Sequence, residues 1–345
     1  MSPSNQPGKL YNVAVVGASG VVGLEFLKIA AQRNFPVKEL KLLATERSAG
    51  KRIPFGEGEI EVEVTTPASF KGADFVFISA SGAASREYAP IARDAGAIVI
   101  DDSSVWRQDP DVPLVATEVN PDDVEQHKGI LAIPNCSTTP LVLCLWPLHK
   151  LNRVTRVIAD TYQSVSGTGT AAVGELEDQS RAWASGADGS VPHIYPHEIA
   201  FNVIPQVDSF MDGGYTKEEW KMMAETRKIM HEPDLPLSAT CVRVPVFISH
   251  SLAVHAAFEH PMKADNVRDV LRHAPGVVVQ DDPSASLYPT PRTAAGKDPV
   301  YVGRIREDMS NPNGIAMWIS SDNLRKGAAL NAIQIAEEMI ARGLV

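Results

Sequence analysis

The stretch that most limits the fold lies near the N-terminus, where an apolar run, Asn12 to Val16, leads straight into Gly17-Ala18-Ser19-Gly20-Val21-Val22-Gly23. An unbroken apolar run of this length suits a strand buried on both faces of a parallel sheet. After the glycines, Val22, Phe26, Ile29 and Ala30 fall on one face of a helix. Strand, glycine turn and helix in this order open a doubly wound α/β fold that binds a nucleotide. In such a unit Gly17 permits the tight turn, Gly20 lets backbone amides approach a diphosphate, and Gly23 lets the helix pack on the strand. The spacing G-x-x-G-x-x-G departs from the commoner G-x-G-x-x-G, so the motif draws its force from its strand and helix context.

The alternation continues. A second strand, Glu39 to Ala44, ends in Thr45-Glu46-Arg47-Ser48-Ala49-Gly50-Lys51. At this place an NAD site offers a carboxylate to the ribose diol and an NADP site offers Arg and hydroxyls to the 2′-phosphate. Thr45, Arg47 and Ser48 suit the phosphate, whereas Glu46 pulls towards NAD; the balance favours NADP(H). A third run, Asp74 to Ser79, closes on a small-residue turn, Ser79 to Ser85, followed by a helix-like stretch, Arg86 to Ala95, and strands at Ala97 to Ile100 and Gly129 to Ile133. The pattern predicts a Rossmann-type parallel sheet with ligands at the carboxyl ends of its strands.

Cys136 falls at such an end, in Pro134-Asn135-Cys136-Ser137-Thr138-Thr139-Pro140. Thr139 reads as a helix N-cap and Pro140 as the first helical residue. A thiol just before a helix start meets the positive end of the peptide dipoles, which favours the reactive thiolate. For any single cysteine the ordinary alternative is a small buried apolar side chain.

At 345 residues the chain is long enough for two domains. A formal charge of −10 argues against nucleic acid or an anionic membrane as the main partner. No apolar run approaches the roughly 18 residues that span a bilayer, and the polar stretch Met1 to Lys9 lacks a signal-peptide core. Three cysteines (Cys136, Cys144, Cys241) suit neither a disulfide framework nor a zinc site, which points to a reduced, cytoplasmic enzyme with no metal.

The second half changes period. Val154 to Val165, Ala239 to Phe247, Ser251 to Phe258 and Ile315 to Ile319 read as strands of a mixed sheet open on one face, with helical pieces near Gly174 to Ala184 and Thr216 to Met230. Asp322 to Gly343 reads as one strong helix capped by Asp322. The expected division is a dinucleotide-binding domain over 1–136, completed by the C-terminal helix 323–345, and an α+β catalytic and dimerisation domain over 137–322. An open sheet face calls for a partner subunit.

A thiolate beside a nicotinamide site suggests a thioester intermediate that hydride transfer interconverts with an aldehyde. His250 stands at a strand end and can serve the thiol. Arg243, seven residues earlier, would lie about 23 Å away in an extended strand at roughly 3.3 Å per residue, so the two share a site only if the chain bends near Pro245. One histidine or arginine taken alone is more often a surface or structural group.

Taken in order, Gly17 to Gly23, Arg47 to Lys51, Pro134 to Thr138, Gln163 to Gly167, Glu218 to Lys221, Arg243 to His250 and Asp322 to Ala329 resemble the aspartate-semialdehyde dehydrogenase family over essentially the whole chain. The resemblance implies NADPH-dependent reductive dephosphorylation of L-aspartyl 4-phosphate to L-aspartate 4-semialdehyde, at the branch leading to lysine, methionine and threonine, by a homodimer at least, with a tetramer left open. It makes Cys136 the nucleophile, His250 the acid/base and Gln163 the group that orients the acyl-enzyme. Glu218 and Arg243 would hold the substrate's amino and carboxylate groups, and Arg107, Asn135 and Lys221 its phosphate. Glu219 is adjacent, and spacing selects Glu218. For the cofactor it points to Gly17, Ser19, Gly20, Val21, Val22, Thr45, Arg47, Ser48, Ser81, Gly82, Ser166, Gly167 and Asn323. The nearest rival, N-acetyl-glutamyl-phosphate reductase, typically has Pro-Gly-Cys-Tyr-Pro-Thr where this chain has Pro-Asn-Cys-Ser-Thr-Thr. Arg107 and Lys221 favour a phosphate over a coenzyme A thioester. A non-catalytic nucleotide-binding regulator would have no need of Cys136, His250, Arg243 and Gln163 together.

Overall fold

The computed structural model describes residues 9–187 and 191–345, so all of the polar N-terminal stretch but Lys9 lies outside the described residues. The chain forms two compact units. The first comprises residues 9–113, 122–133 and 332–345, the second 114–121 and 134–331.

The first unit contains β1 (Tyr11–Val16), α1 (Val21–Gln32), β2 (Val37–Ala44), β3 (Arg52–Phe55), β4 (Gly58–Val64), β5 (Phe75–Ile78), α2 (Gly82–Asp94), β6 (Ile98–Asp101) and β7 (Ile130–Ala132). They build a seven-stranded sheet in the order β3-β4-β2-β1-β5-β6-β7, parallel except for the β3–β4 hairpin. The inner strands are buried on both faces: Val13, Val15, Phe75, Val76, Phe77, Val99 and Ile100 are almost wholly inaccessible. Gly17 adopts φ +84°, and a Cβ there would stand 2.0 Å from the Ser79 carbonyl oxygen, so the turn after β1 admits only glycine.

Two features differ from the sequence expectation. The edge hairpin β3–β4 escapes a search for apolar runs because β4 reads Gly-Glu-Ile-Glu-Val-Glu-Val and exposes its glutamates, as befits an edge that must not pair further. The small-residue stretch after β5 is also more than a turn, since α2 already begins at Gly82. Ser81 caps it, its Oγ accepting from the Ala84 N–H at 3.3 Å.

The second unit contains α3 (Thr138–Leu151), β8 (Val154–Gln163), α4 (Thr170–Ala184), α5 (Lys217–Ile229), β9 (Leu237–Arg243), β10 (His250–Phe258), α6 (Ala264–Arg272), β11 (Val277–Val279), α7 (Pro291–Ala294), β12 (Val300–Glu307) and β13 (Gly314–Ser321). α8 (Leu330–Ala341) follows, its residues from 332 onward counting with the first unit. The six-stranded mixed sheet runs β11-β12-β13-β10-β8-β9, with β8–β9 and β11–β12 parallel. Along β8, Val157, Ala159, Thr161 and Gln163 are buried, whereas Arg156 and Tyr162 are exposed and Ile158 and Asp160 half-buried, a period of two that leaves one face open.

Two helix starts also differ. α3 begins at Thr138 with Ser137 as its cap residue, so Pro140 is the third helical residue. The reason is Asn135, whose Oδ1 accepts from the Ser137 N–H at 2.9 Å while its carbonyl accepts from the Thr139 N–H at 3.0 Å, starting the helix early. The expected C-terminal helix forms, but its opening turn differs. Asp322 Oδ1 does accept from the Leu324 and Arg325 N–H groups, but Arg325–Ala329 then forms a π-helical turn before α8.

Candidate active site

Cys136 stands between β7 and α3, in a turn fixed through its neighbour. The Asn135 N–H donates to Glu225 Oε2 at 2.6 Å, and its Nδ2 donates to Glu218 Oε1 at 2.8 Å. Cys136 Sγ lies 3.2 Å from Nε2 of His250, the first residue of β10. The other ring nitrogen, Nδ1, accepts from the Ser164 N–H at 3.0 Å, with Ser164 Oγ at 3.1 Å. A nitrogen that accepts from a backbone N–H carries no proton, so the neutral imidazole holds its proton on Nε2, aimed at the sulfur. Burial first, and the Arg243 guanidinium second, hold His250 well below the ordinary histidine range. At neutral pH it is an uncharged donor to sulfur.

Arg243 ends β9, and the chain bends before β10, so the two residues do meet. Arg243 Nη1 donates to the Ser164 carbonyl at 2.6 Å, on the residue whose N–H serves His250. A Cβ at Gly167 would lie 3.2 Å from both Arg243 Nη1 and His250 Nε2, so glycine lets this loop pass beside both. Arg243 is 5% exposed, and its Nε has no hydrogen-bond partner among the described residues. A buried guanidinium with a donor to spare is suited to a carboxylate.

Gln163, the last residue of β8, donates from Nε2 to Ser137 Oγ at 2.9 Å and to Glu218 Oε1 at 3.2 Å. Glu218 thus meets Asn135, Gln163 and, at 3.2 Å, Lys221. Its neighbour Glu219 is otherwise engaged: it closes a capping box with Thr216 and accepts from the Cys241 N–H at 2.9 Å. Lys221 also bonds Asp208 at 2.8 Å. Burial works against its charge, but Glu218 and Asp208 outweigh burial and hold the ammonium above the usual lysine range. Asn323 Oδ1 accepts from the Ser249 N–H at 2.9 Å and from the hydroxyls of Ser164 and Ser166 at 3.1 and 3.2 Å.

The first unit carries the remaining expected residues. Gly20 caps α1 without any side-chain hydrogen bond, and no acid occupies the first turn. A Cβ at Gly20 would meet only the Gly17 carbonyl, at 3.3 Å, whereas Gly23 is pressed against Ala18 at 2.8 Å. The packing glycines and the open one are therefore distinct, and the uncapped helix start fits a diphosphate. Val21 and Val22 are the first residues of α1, and Ser19 and Gly20 are accessible above it. Thr45, Glu46 and Arg47 are exposed just past β2, with Ser48 buried behind them. Arg107 donates from Nη2 to the Asp102 carbonyl at 2.8 Å. The Asp102 side chain is half-buried, and desolvation pushes its carboxyl up to about 7, with Arg107 opposing.

Three contributors escaped the sequence reading: Ser164, which joins His250 to Arg243, Gly327, where a Cβ would stand 3.0 Å from Cys136 Cβ, and Glu225. Glu225 lies seven residues beyond Glu218 on the same face of α5, but that spacing alone does not tell a buried carboxyl from a solvated one.

A Rossmann-type parallel sheet joined in one chain to a one-sided mixed sheet is the build of a two-domain dehydrogenase, and two family models agree. That for the NAD binding domain of semialdehyde dehydrogenases matches residues 12–127, and that for the semialdehyde dehydrogenase dimerisation domain matches 145–326. The chain is 49% identical to aspartate-semialdehyde dehydrogenase of Aquifex aeolicus, covering 97% of this chain and 99% of that one. It is 46% identical to that of Bacillus subtilis, over 98% and 100%. The chain belongs to the aspartate-semialdehyde dehydrogenase family. Among solved structures, aspartate semialdehyde dehydrogenase II of Vibrio cholerae complexed with ASA superposes with a TM-score of 0.94 at 42% identity, covering 97% of this chain and 99% of that one. The Candida albicans enzyme with NADP superposes with a TM-score of 0.74 at 25% identity, covering 98% and 100%.

Proposed function

We infer that the protein catalyses the reversible reductive dephosphorylation of L-aspartyl 4-phosphate to L-aspartate 4-semialdehyde. The observation that carries this reading is the Cys136–His250 pair at 3.2 Å, set beside a buried Arg243 with an unmet donor. The Cys136 thiolate attacks the acyl carbon, forming a C–S bond. His250, holding its proton on Nε2, donates a hydrogen bond to the oxyanion that develops on the acyl oxygen. Collapse breaks the C–O bond to phosphate and leaves a thioester. A reduced nicotinamide, when bound, would supply the hydride that takes the thioester to the aldehyde level, and Cys136 then departs as thiolate. Arg243 binds the α-carboxylate and Glu218 the α-ammonium, placing the acyl carbon at sulfur. Gln163, anchored on Ser137 and Glu218, orients the acyl oxygen. Lys221, Arg107 and the second Nδ2–H of Asn135 receive the phosphate.

The cofactor is NADP(H), supported by the exposed Arg47 after β2 and by the NADP carried by the Candida albicans relative. The glycine turn with Ser19, Val21 and Val22, Thr45, Ser48, Ser81, Gly82, Ser166, Gly167 and Asn323 complete its binding set. The protein works as a homodimer through the second unit, in the cytoplasm. No helix among the described residues is long and apolar enough to cross a membrane.

The test is NADP reduction by the purified protein given aspartate semialdehyde and phosphate, with Cys136→Ala alongside. Wild type is expected to be active only when phosphate is present, and the variant to fall to background. Equal rates in both, or a preference for N-acetyl-glutamate semialdehyde, would overturn the assignment.

A further inference from the structure

Glu218, Lys221 and Glu225 occupy one face of α5 at i, i+3 and i+7. The first two face the substrate groups under the function proposed above, whereas Glu225 does not. It is 1% exposed, and its Oε2 accepts from the backbone N–H of Asn135, the residue before the nucleophile, at 2.6 Å. We propose that Glu225 is a positioning residue for Cys136, fixing the main chain of the nucleophile's turn against α5.

Asn135 is held at every polar position. Its Oδ1 accepts from Ser137, its carbonyl accepts from the N–H and hydroxyl of Thr139, and its Nδ2 donates to Glu218. The first of these contacts lie within the turn itself, and a substrate ammonium competes for Glu218. The bond to Glu225 is of another kind, because it ties the turn's backbone to an element 90 residues further along the chain and touches no substrate group. On the other side, Gly327 packs so closely that a Cβ there would stand 3.0 Å from Cys136 Cβ. The nucleophile is clamped between a helix that holds its backbone and a turn that confines its side chain. Reacting atoms must approach to roughly 3–3.5 Å, and a misplacement of about 1 Å costs about 100-fold in rate.

Glu225→Leu removes the acceptor and Glu225→Gln keeps one in nearly the same shape. Two quantities are measured on folded protein: kcat and KM with aspartate semialdehyde and phosphate, and the rate of Cys136 alkylation by iodoacetamide without substrate. E225L is expected to lose about 100-fold in kcat, with both KM values held within about twofold, and to slow alkylation; E225Q is expected to restore most of both. A residue that merely stabilises the fold would lower the melting temperature and leave both rates per folded molecule unchanged, which would overturn the proposal. So would an E225Q as impaired as E225L, or a rise in KM at constant kcat. If E225L does not fold, Glu225→Thr, too short to reach Asn135, takes its place. The alkylation arm needs no substrate, so it reads the role of Glu225 even if the assigned substrate fails.

Discussion

Cys144 and Cys241 are fully buried, and burial pushes both thiols up; for Cys241 the nearby Glu218 adds to the effect. Such thiols do not ionise near neutrality. Cys136 is partly exposed and touches His250. Brief treatment of the native protein with iodoacetamide at neutral pH should therefore label one thiol, and unfolding should release the other two. Peptide mapping checks this, and label on Cys144 or Cys241 in the folded protein would contradict it. At this scale the sequence was partly legible. The junction of strand and helix singled out Cys136, and the adjacent acids Glu218 and Glu219 were separable in principle. Thr216-Lys217-Glu218-Glu219 is a capping-box pattern that commits Glu219 to the helix end. Glu225 was not legible, because a buried carboxyl on a helix is written with the same letter as a solvated one, and only the fold sets it against Asn135.

The π-helical turn Arg325–Ala329 shows where local pattern gives way to tertiary demand. Its residues suit an α-helix, and a continuous helix from Asp322 was the natural expectation. In the structure Lys326, 1% exposed, pairs with Glu118 and bonds Asn331 at 2.9 Å. Burial works against the Glu118 charge, but Lys326 outweighs it and holds the carboxyl below its usual range. The widened turn sets Gly327 against Cys136, with would-be Cβ contacts of 3.0 to 3.2 Å on the cysteine's Cβ, Cα and carbonyl oxygen. In an ordinary helix interior, glycine to alanine stabilises by about 1 kcal/mol. Here the sign reverses. Gly327→Ala should destabilise by about 1–3 kcal/mol, as overpacking of a tight core does, and should lower kcat because the displaced group is the proposed nucleophile. Thermal unfolding and steady-state kinetics measure the two effects, and a raised melting temperature would show that the turn tolerates the methyl.

Across the whole molecule, the two sheets were unequally readable for one physical reason. Strands of the first unit are buried on both faces and announce themselves as apolar runs. Edge strands lack that signature: β3–β4 is charged, and β11 is three residues long. The second sheet alternates, and its open face carries Arg156, Ile158, Asp160 and Tyr162 from β8 opposite Ala257, His255, Ala253 and Ser251 of β10, with Trp318 of β13 beside Ala253. Tyr162 and Trp318 rings lie 5.2 Å apart, and a hollow of about 410 Å³ opens between Ala253, Tyr288 and Trp318. Small residues flanked by aromatics, with a few charged groups among them, make a closely approachable surface of the kind that self-associates. The proposed homodimer would bury this face about a twofold axis, so one substitution is felt twice. Ala253→Arg places a long cation at its centre, where water accommodates it in a monomer and a partner subunit does not. Sedimentation velocity should then show a monomer where wild type sediments as a dimer or larger. The far-ultraviolet circular dichroism should stay unchanged, because a half-buried alanine on an open strand has room for the longer side chain. A dimer that persists in the Ala253→Arg variant would move the interface to another surface of the chain.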